Sequence, residues 1–154
     1  MRILFIGGTK RGYITLEALV SRDENVVGII SLKQFDDEAE NYESAIAEIA
    51  KANEIRLFET SNFAEKNYEH ILSDELKPDI AFVVGCRVLI PPEIYQIPCL
   101  GTLGVHDSLL PEYRGFAPLN WAIINGASHT GVTLFYLSEL MDGGDIVAAK
   151  SITI

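Results

Sequence analysis

The chain has 154 residues, 48% of them hydrophobic and 22% charged, with a formal net charge of −10. That length fits one domain with a real core, so the chain is read as a single domain over 1–154. The acidic balance opposes binding along a phosphate backbone, which needs clustered Lys and Arg, but leaves room for a small anion held by local cations.

Met1-Arg2-Ile3-Leu4-Phe5-Ile6-Gly7-Gly8 is too short in its apolar part for a secretory signal and reads as a first strand, Arg2–Gly7. No apolar run reaches the roughly 20 residues of a membrane span. The expectation is a cytoplasmic protein without membrane contact. A helix is expected over Gly12–Ser21, from Ile14, Leu16, Ala18, Leu19 and Val20. Strand Val26–Ile30 follows, then a solvated acidic loop over Ser31–Asn41. Tyr42–Ala52 has helical spacing of Ala45, Ile46, Ile49 and Ala50, and Ile55–Phe58 is a short strand. Ser61 or Asn62 is expected to cap a helix that runs to Leu76. Ile80–Val84 and Leu100–Val105 are apolar strands, and the second delivers His106 at its C-terminal end. Pro118–Ile124 reads as a helix, and Gly131–Leu137 and Ile146–Ile154 as a closing β-hairpin. Strands alternating with helices predict an α/β, Rossmann-like, mostly parallel sheet with helices on both faces. Ile152-Thr153-Ile154 still reads as strand interior, so a catalytic core that continues further is expected.

Ligands in open α/β sheets gather beyond the carboxyl ends of strands. Two loops lie there. Gly7-Gly8-Thr9-Lys10-Arg11-Gly12 matches neither phosphate-loop pattern: Tyr13 stands where a P-loop needs Lys, and Thr9 breaks GxGxxG. It is either a tight turn or, through Gly8, Thr9, Lys10, Arg11 and the helix N-terminus, an anion site for substrate. Gly85-Cys86-Arg87-Val88-Leu89-Ile90-Pro91-Pro92 is either a packed loop or one whose backbone reads a flat heterocycle. Cys86 and Cys99 have no CxxC partner and read as free thiols. Three scattered histidines make no metal site. His70 and His129 read as exposed, whereas His106 stands before Asp107-Ser108 and a Leu109-Leu110-Pro111 turn. Downstream, Asp142 leads Gly143-Gly144. An imidazole and a carboxylate in turn-rich loops form a candidate acid/base pair, since a carboxylate can orient a histidine and stabilise its charged form. Asn120 and Trp121 most simply start a helix, with lining of an acceptor pocket as the alternative.

His106-Asp107-Ser108-Leu109-Leu110-Pro111-Glu112-Tyr113-Arg114-Gly115-Phe116-Ala117-Pro118-Leu119-Asn120-Trp121, with Asn125-Gly126, Thr130-Gly131-Val132-Thr133 and Met141-Asp142-Gly143-Gly144, resembles the signature of the folate-dependent formyltransferases. The Ala-Pro-Leu-Asn-Trp segment is most similar to the amino-sugar branch. The resemblance implies 10-formyltetrahydrofolate as formyl donor. It implies catalytic roles for His106 and Asp142, and folate contacts from Arg87, Val88, Leu89, Ile90, Ser138, Leu140 and Asp142. Gly8, Thr9, Lys10, Ser108, Arg114 and Asn120 become candidates for the acceptor. That acceptor is expected to be a small amine on a nucleotide-linked sugar rather than a nucleic acid. The alternatives are a folate- or nucleotide-binding homologue impaired in catalysis, and a piece of a methionyl-tRNA formyltransferase. A homodimer is left open. One position departs from the family pattern: Gly104 stands where the family has an asparagine that donates to the developing oxyanion. Loss of such a donor costs on the order of 10²–10³ in rate. On sequence alone, Gly104→Asn is therefore expected to raise activity.

Overall fold

The computed structural model describes residues 1–33, 40–64 and 67–154. They fall into two compact units, Met1–Thr102 and Leu103–Ile154.

In the first unit the elements run β1 (Ile3–Gly7), α1 (Lys10–Val20), β2 (Val26–Leu32), α2 (Glu43–Ala52), β3 (Leu57–Thr60), α3 (Tyr68–His70), β4 (Ile80–Val84) and α4 (Pro92–Tyr95). The strands pair in parallel in the order β3-β2-β1-β4. A strand in the middle of a parallel sheet has both faces covered, so it reads as a continuous apolar run. Ile3, Leu4, Phe5 and Ile6 of β1 accordingly bury every side chain, and Ile29 and Ile30 of β2 do the same. Leu16 of α1 and Ile46 of α2 are fully buried beside them, which fixes one face of each helix.

Most expected elements are present with ends moved by one to three residues. The acidic loop expected over Ser31–Asn41 begins later, because Ser31 and Leu32 are still in β2, paired with Glu59 and Thr60. Its residues 34–39 lie outside the described residues. The helix expected from Ser61 or Asn62 starts instead at Tyr68, where the Asn67 side chain accepts from the His70 backbone N–H at 3.2 Å. It continues as a π-turn over Ile71–Leu76, and Lys77 (φ 44°) ends it by donating to the Leu72 carbonyl at 2.8 Å. The short helix α4 had no periodic signal of its own.

The second unit holds most of β5 (Thr102–His106), then α5 (Pro118–Ile124), β6 (His129–Tyr136) and β7 (Ile146–Thr153). Here pairing is antiparallel. Val105 opposes Leu134 and His106 opposes Thr133, and β6 and β7 form the expected hairpin. Antiparallel pairing thus reaches one strand further back than the hairpin alone. Every residue of β7 is exposed. No helix among the described residues is long and apolar enough to cross a membrane.

The turn after β1 is steric in origin. A Cβ on Gly7 would lie 2.3 Å from the Val84 carbonyl oxygen, and one on Gly8 would lie 2.3 Å from that of Leu32. Backbone oxygens tied into a sheet cannot move aside. Gly7→Ala is therefore expected to cost about 1–3 kcal/mol, read as a fall in denaturation midpoint at unchanged m-value.

Candidate active site

His106 is the last residue of β5, so its backbone is held by the ladder while its ring projects at the strand end. The chain then turns sharply, with a cis peptide at Leu110–Pro111. What holds this turn is one buried hydroxyl. Thr133, fully buried on β6 opposite His106, donates through Oγ1 to the Ser108 carbonyl at 2.7 Å and accepts from the Leu110 N–H at 3.1 Å. Ser108 is also fully buried, and its hydroxyl donates to the Glu112 carbonyl. Ser108, expected at the substrate, thus lies inside the turn.

The turn brings the Tyr113 carbonyl to 2.8 Å from His106 Nε2. A carbonyl only accepts, so Nε2 carries the hydrogen and, in the neutral ring, Nδ1 holds the lone pair. Nδ1 lies 3.6 Å from Asp142 Oδ2, with 11% of the histidine side chain and 21% of the aspartate exposed. The separation exceeds a hydrogen bond, yet a proton arriving on Nδ1 would sit beside a partly shielded carboxylate. Asp142 Oδ2 is oriented by the Gly115 N–H at 2.8 Å. The same loops therefore aim both members of the pair.

These contacts use an unusual backbone. Tyr113 (φ 54°), Gly115 (φ 90°), Ala117 (φ 53°) and Asp142 (φ 47°) are all left-handed. That conformation costs L-residues roughly 1–2 kcal/mol each, and such strain collects where geometry matters to function. A Cβ on Gly115 would meet only Met141 Sδ at 3.8 Å, so its φ rather than crowding calls for glycine. Gly144 is different: a Cβ there would lie 1.8 Å from the Tyr136 carbonyl.

The remaining expected residues fall in several places. In the second unit, Arg114 and Asn120 are exposed, Asn120 in the first turn of α5. Ser138 donates its hydroxyl to the Leu140 carbonyl at 3.1 Å, and Leu140 is 60% exposed. In the first unit, Lys10 pairs with Glu40 at 3.4 Å. The Thr9 hydroxyl is buried with no hydrogen-bond partner among the described residues, and a Cβ on Gly85 would lie 1.9 Å from it. Arg87 is exposed and close enough to Arg11 for the two guanidiniums to repel, and Leu89 is 80% exposed. Val88 and Ile90 are half-buried, and the Val88 carbonyl accepts from the Cys86 thiol. Among the described residues, no group of three or more His, Cys, Asp or Glu could hold a metal.

Gly104 is buried, directly opposite Phe135. A Cβ there would lie 2.8 Å from Leu137 Cδ1 and 3.0 Å from two ring carbons of Phe135. An asparagine at 104 would need the Leu137 end and the Phe135 ring to shift, so the oxyanion donor expected of it would come with a rearrangement of that packing. The Tyr113 carbonyl, the Gly115 N–H, Thr133, Phe135 and Leu137 were not singled out as site residues from sequence. Tyr113 and Gly115 were quoted within the His106–Trp121 signature and Thr133 within Thr-Gly-Val-Thr, whereas Phe135 and Leu137 carried no signal.

The formyl transferase family model matches residues 1–154. The chain belongs to the formyl transferase family. It is 37% identical over 158 residues to methionyl-tRNA formyltransferase of Azobacteroides pseudotrichonymphae genomovar. CFP2, covering 99% of this chain and 48% of that protein. It is 35% identical over 156 residues to the bifunctional polymyxin resistance protein ArnA of Wigglesworthia glossinidia brevipalpis, covering 100% of this chain and 23% of that protein. The crystal structure of phosphoribosylglycinamide formyltransferase from Bacillus halodurans shares the fold, with a TM-score of 0.80 at 21% identity, over 100% of this chain and 80% of that one. The chain spans about half the length of the methionyl-tRNA formyltransferases it matches.

Two outcomes follow. Thr133→Val removes both bonds while keeping shape, stranding the buried Ser108 C=O and Leu110 N–H. Unfolding measurements should show a loss of about 1–3 kcal/mol. The two thiols should differ in reactivity. Burial pushes the Cys86 thiol up to about 11, against a smaller opposing effect of its Val88 contact, whereas Cys99 is exposed. Because the thiolate is the nucleophile, iodoacetamide at pH 8 should label Cys99 first. Cys86 labelling should rise only as pH approaches 11.

Proposed function

We propose that the chain transfers a formyl group from 10-formyltetrahydrofolate to the primary amine of a nucleotide-linked amino sugar. The observation that carries the reading is the His106–Asp142 pair, with Nε2 committed to a carbonyl and Nδ1 facing the carboxylate at 3.6 Å. In an acyl transfer of this kind the amine nitrogen forms a bond to the formyl carbon, and the carbon–nitrogen bond to tetrahydrofolate breaks. The attacking amine must lose a proton and the departing nitrogen must gain one. His106 Nδ1 takes the first, with Asp142 beside the imidazolium that results, and returns it to the leaving group. The Tyr113 carbonyl keeps the ring from turning throughout.

The folate residues are assigned by resemblance: Arg87, Val88, Leu89 and Ile90 in one loop, Ser138, Leu140 and Asp142 in the other. Each loop presents apolar surface suited to a flat ring, namely Leu89 (80% exposed) in the first and Leu140 (60%) with Met141 (53%) in the second. Lys10 and the start of α1 are offered to an anionic group of the acceptor, and Arg114 and Asn120 to its polar groups. The net charge of −10 favours a small acceptor over a nucleic acid. A second reading, formylation of a methionyl-tRNA, is favoured by the name of the 37%-identical relative.

The test uses the full-length protein with 10-formyltetrahydrofolate and a panel of nucleotide amino sugars, plus methionyl-tRNA, following tetrahydrofolate release. Turnover on a sugar is expected, falling by about 10²–10⁴ in His106→Ala and sharply in Asp142→Asn. Turnover on methionyl-tRNA alone would transfer the assignment to the second reading. Absence of turnover on every amine would remove the enzymatic reading.

A further inference from the structure

We infer that Gly104 is a positioning residue, whose missing side chain sets the distance between His106 and Asp142 by letting Phe135 and Leu137 seat against the backbone of β5. The inference rests on the catalytic pair proposed above and concerns how that pair is held.

Side chains two apart on a strand share a face, and directly paired residues on neighbouring strands share it too. Gly104 pairs with Phe135 and His106 pairs with Thr133. These four positions therefore form one block on one face of the β5–β6 ladder. Two corners of the block serve the site directly: His106 is the reacting imidazole, and Thr133 ties down the turn that carries the Tyr113 carbonyl. The other two corners are a bare glycine and a ring that lies over it. Phe135 is 5% exposed, so its ring has nowhere else to go.

Leu137 extends this packing beyond the end of β6. Its Cδ1 would be the nearest atom to a Cβ on residue 104, at 2.8 Å, with the Phe135 ring at 3.0 Å. A Cβ at 104 therefore obliges the end of the Leu137 side chain to shift and the Phe135 ring to give by a few tenths of an ångström, so two residues of one segment respond together. That segment leads directly into the loop that presents Asp142, where Ser138 closes on the Leu140 carbonyl and the Gly143 N–H donates to the same carbonyl at 3.0 Å. Relief of the clash lifts the end of β6, and the root of the Asp142 loop moves with it. His106 is held by its strand and by the Tyr113 carbonyl, whereas Asp142 is held by the Gly115 N–H and by the loop that follows Leu137, so a shift of that loop acts on the carboxylate first. The 3.6 Å separation of Nδ1 from the carboxylate then widens. Displacing a reacting group by about 1 Å costs on the order of 10²-fold.

The test is Gly104→Ala, which adds a methyl group and no polar function, alongside Leu137→Ala and the double variant. In Gly104→Ala, kcat should fall by roughly 10- to 100-fold with KM changed less than about twofold. The ¹⁵N shifts of the His106 ring should move as the carboxylate recedes. Adding Leu137→Ala removes the nearest obstacle and should restore most of kcat and return the shifts toward those of Leu137→Ala alone. Wild-type kcat and unchanged His106 shifts in Gly104→Ala would overturn the inference. So would a folded double variant that recovers neither. If Gly104→Ala does not fold, the comparison is made in the Leu137→Ala background, where the added methyl should leave the His106 shifts unmoved. A wild-type protein that formylates nothing would sink the proposed function alone, because the ring shifts still report whether residue 104 sets the pair.

Discussion

The second unit hangs on the Thr133 hydroxyl. A buried hydroxyl has one hydrogen to give and lone pairs to accept with, and here both capacities are used on one turn. That turn determines where the Tyr113 carbonyl lies, and hence which nitrogen of His106 is left to face Asp142. It also sets the path of the left-handed segment from which the Gly115 N–H reaches Asp142. A strand position whose own hydroxyl bonds to neither His106 nor Asp142 thus sets the placement of both. It does so because backbone groups, not side chains, make the contacts.

How much of this the sequence shows depends on the kind of interaction. The parallel sheet was legible because β1, β2 and β4 are unbroken apolar runs between turn residues, and the order of strands and helices leaves few topologies. His106 and Asp142 were legible because each sits in a loop of turn-forming residues at a strand end. The late start of α3 was not, since Ser61 and Asn62 are as good caps by residue type as Asn67, and only packing chooses between them. The contacts that orient His106 were not legible either. A carbonyl or an N–H belongs to every residue, so Tyr113 and Gly115 carry no chemical mark. Ser108 shows a related point: residue type alone does not reveal that its buried hydroxyl donates to the Glu112 carbonyl.

The two units achieve order differently. The first relies on apolar strands packed on both faces, with glycines where a turn meets a carbonyl. The second has fewer fully buried apolar side chains and instead uses hydroxyls, N–H groups and strained φ angles. Such an arrangement is expensive to assemble, and it is found where atoms must be placed to within fractions of an ångström.

The pairing of a bare Gly104 with Phe135 also constrains how this chain can change. Positions 104, 135 and 137 share one volume, so their substitutions are not independent events. A side chain at 104 requires the Leu137 end and the Phe135 ring to shift, and trimming either first opens space over the glycine. The order in which such changes come therefore matters. The glycine is thereby tied to its neighbours, and a polar residue would enter there as part of a coordinated exchange.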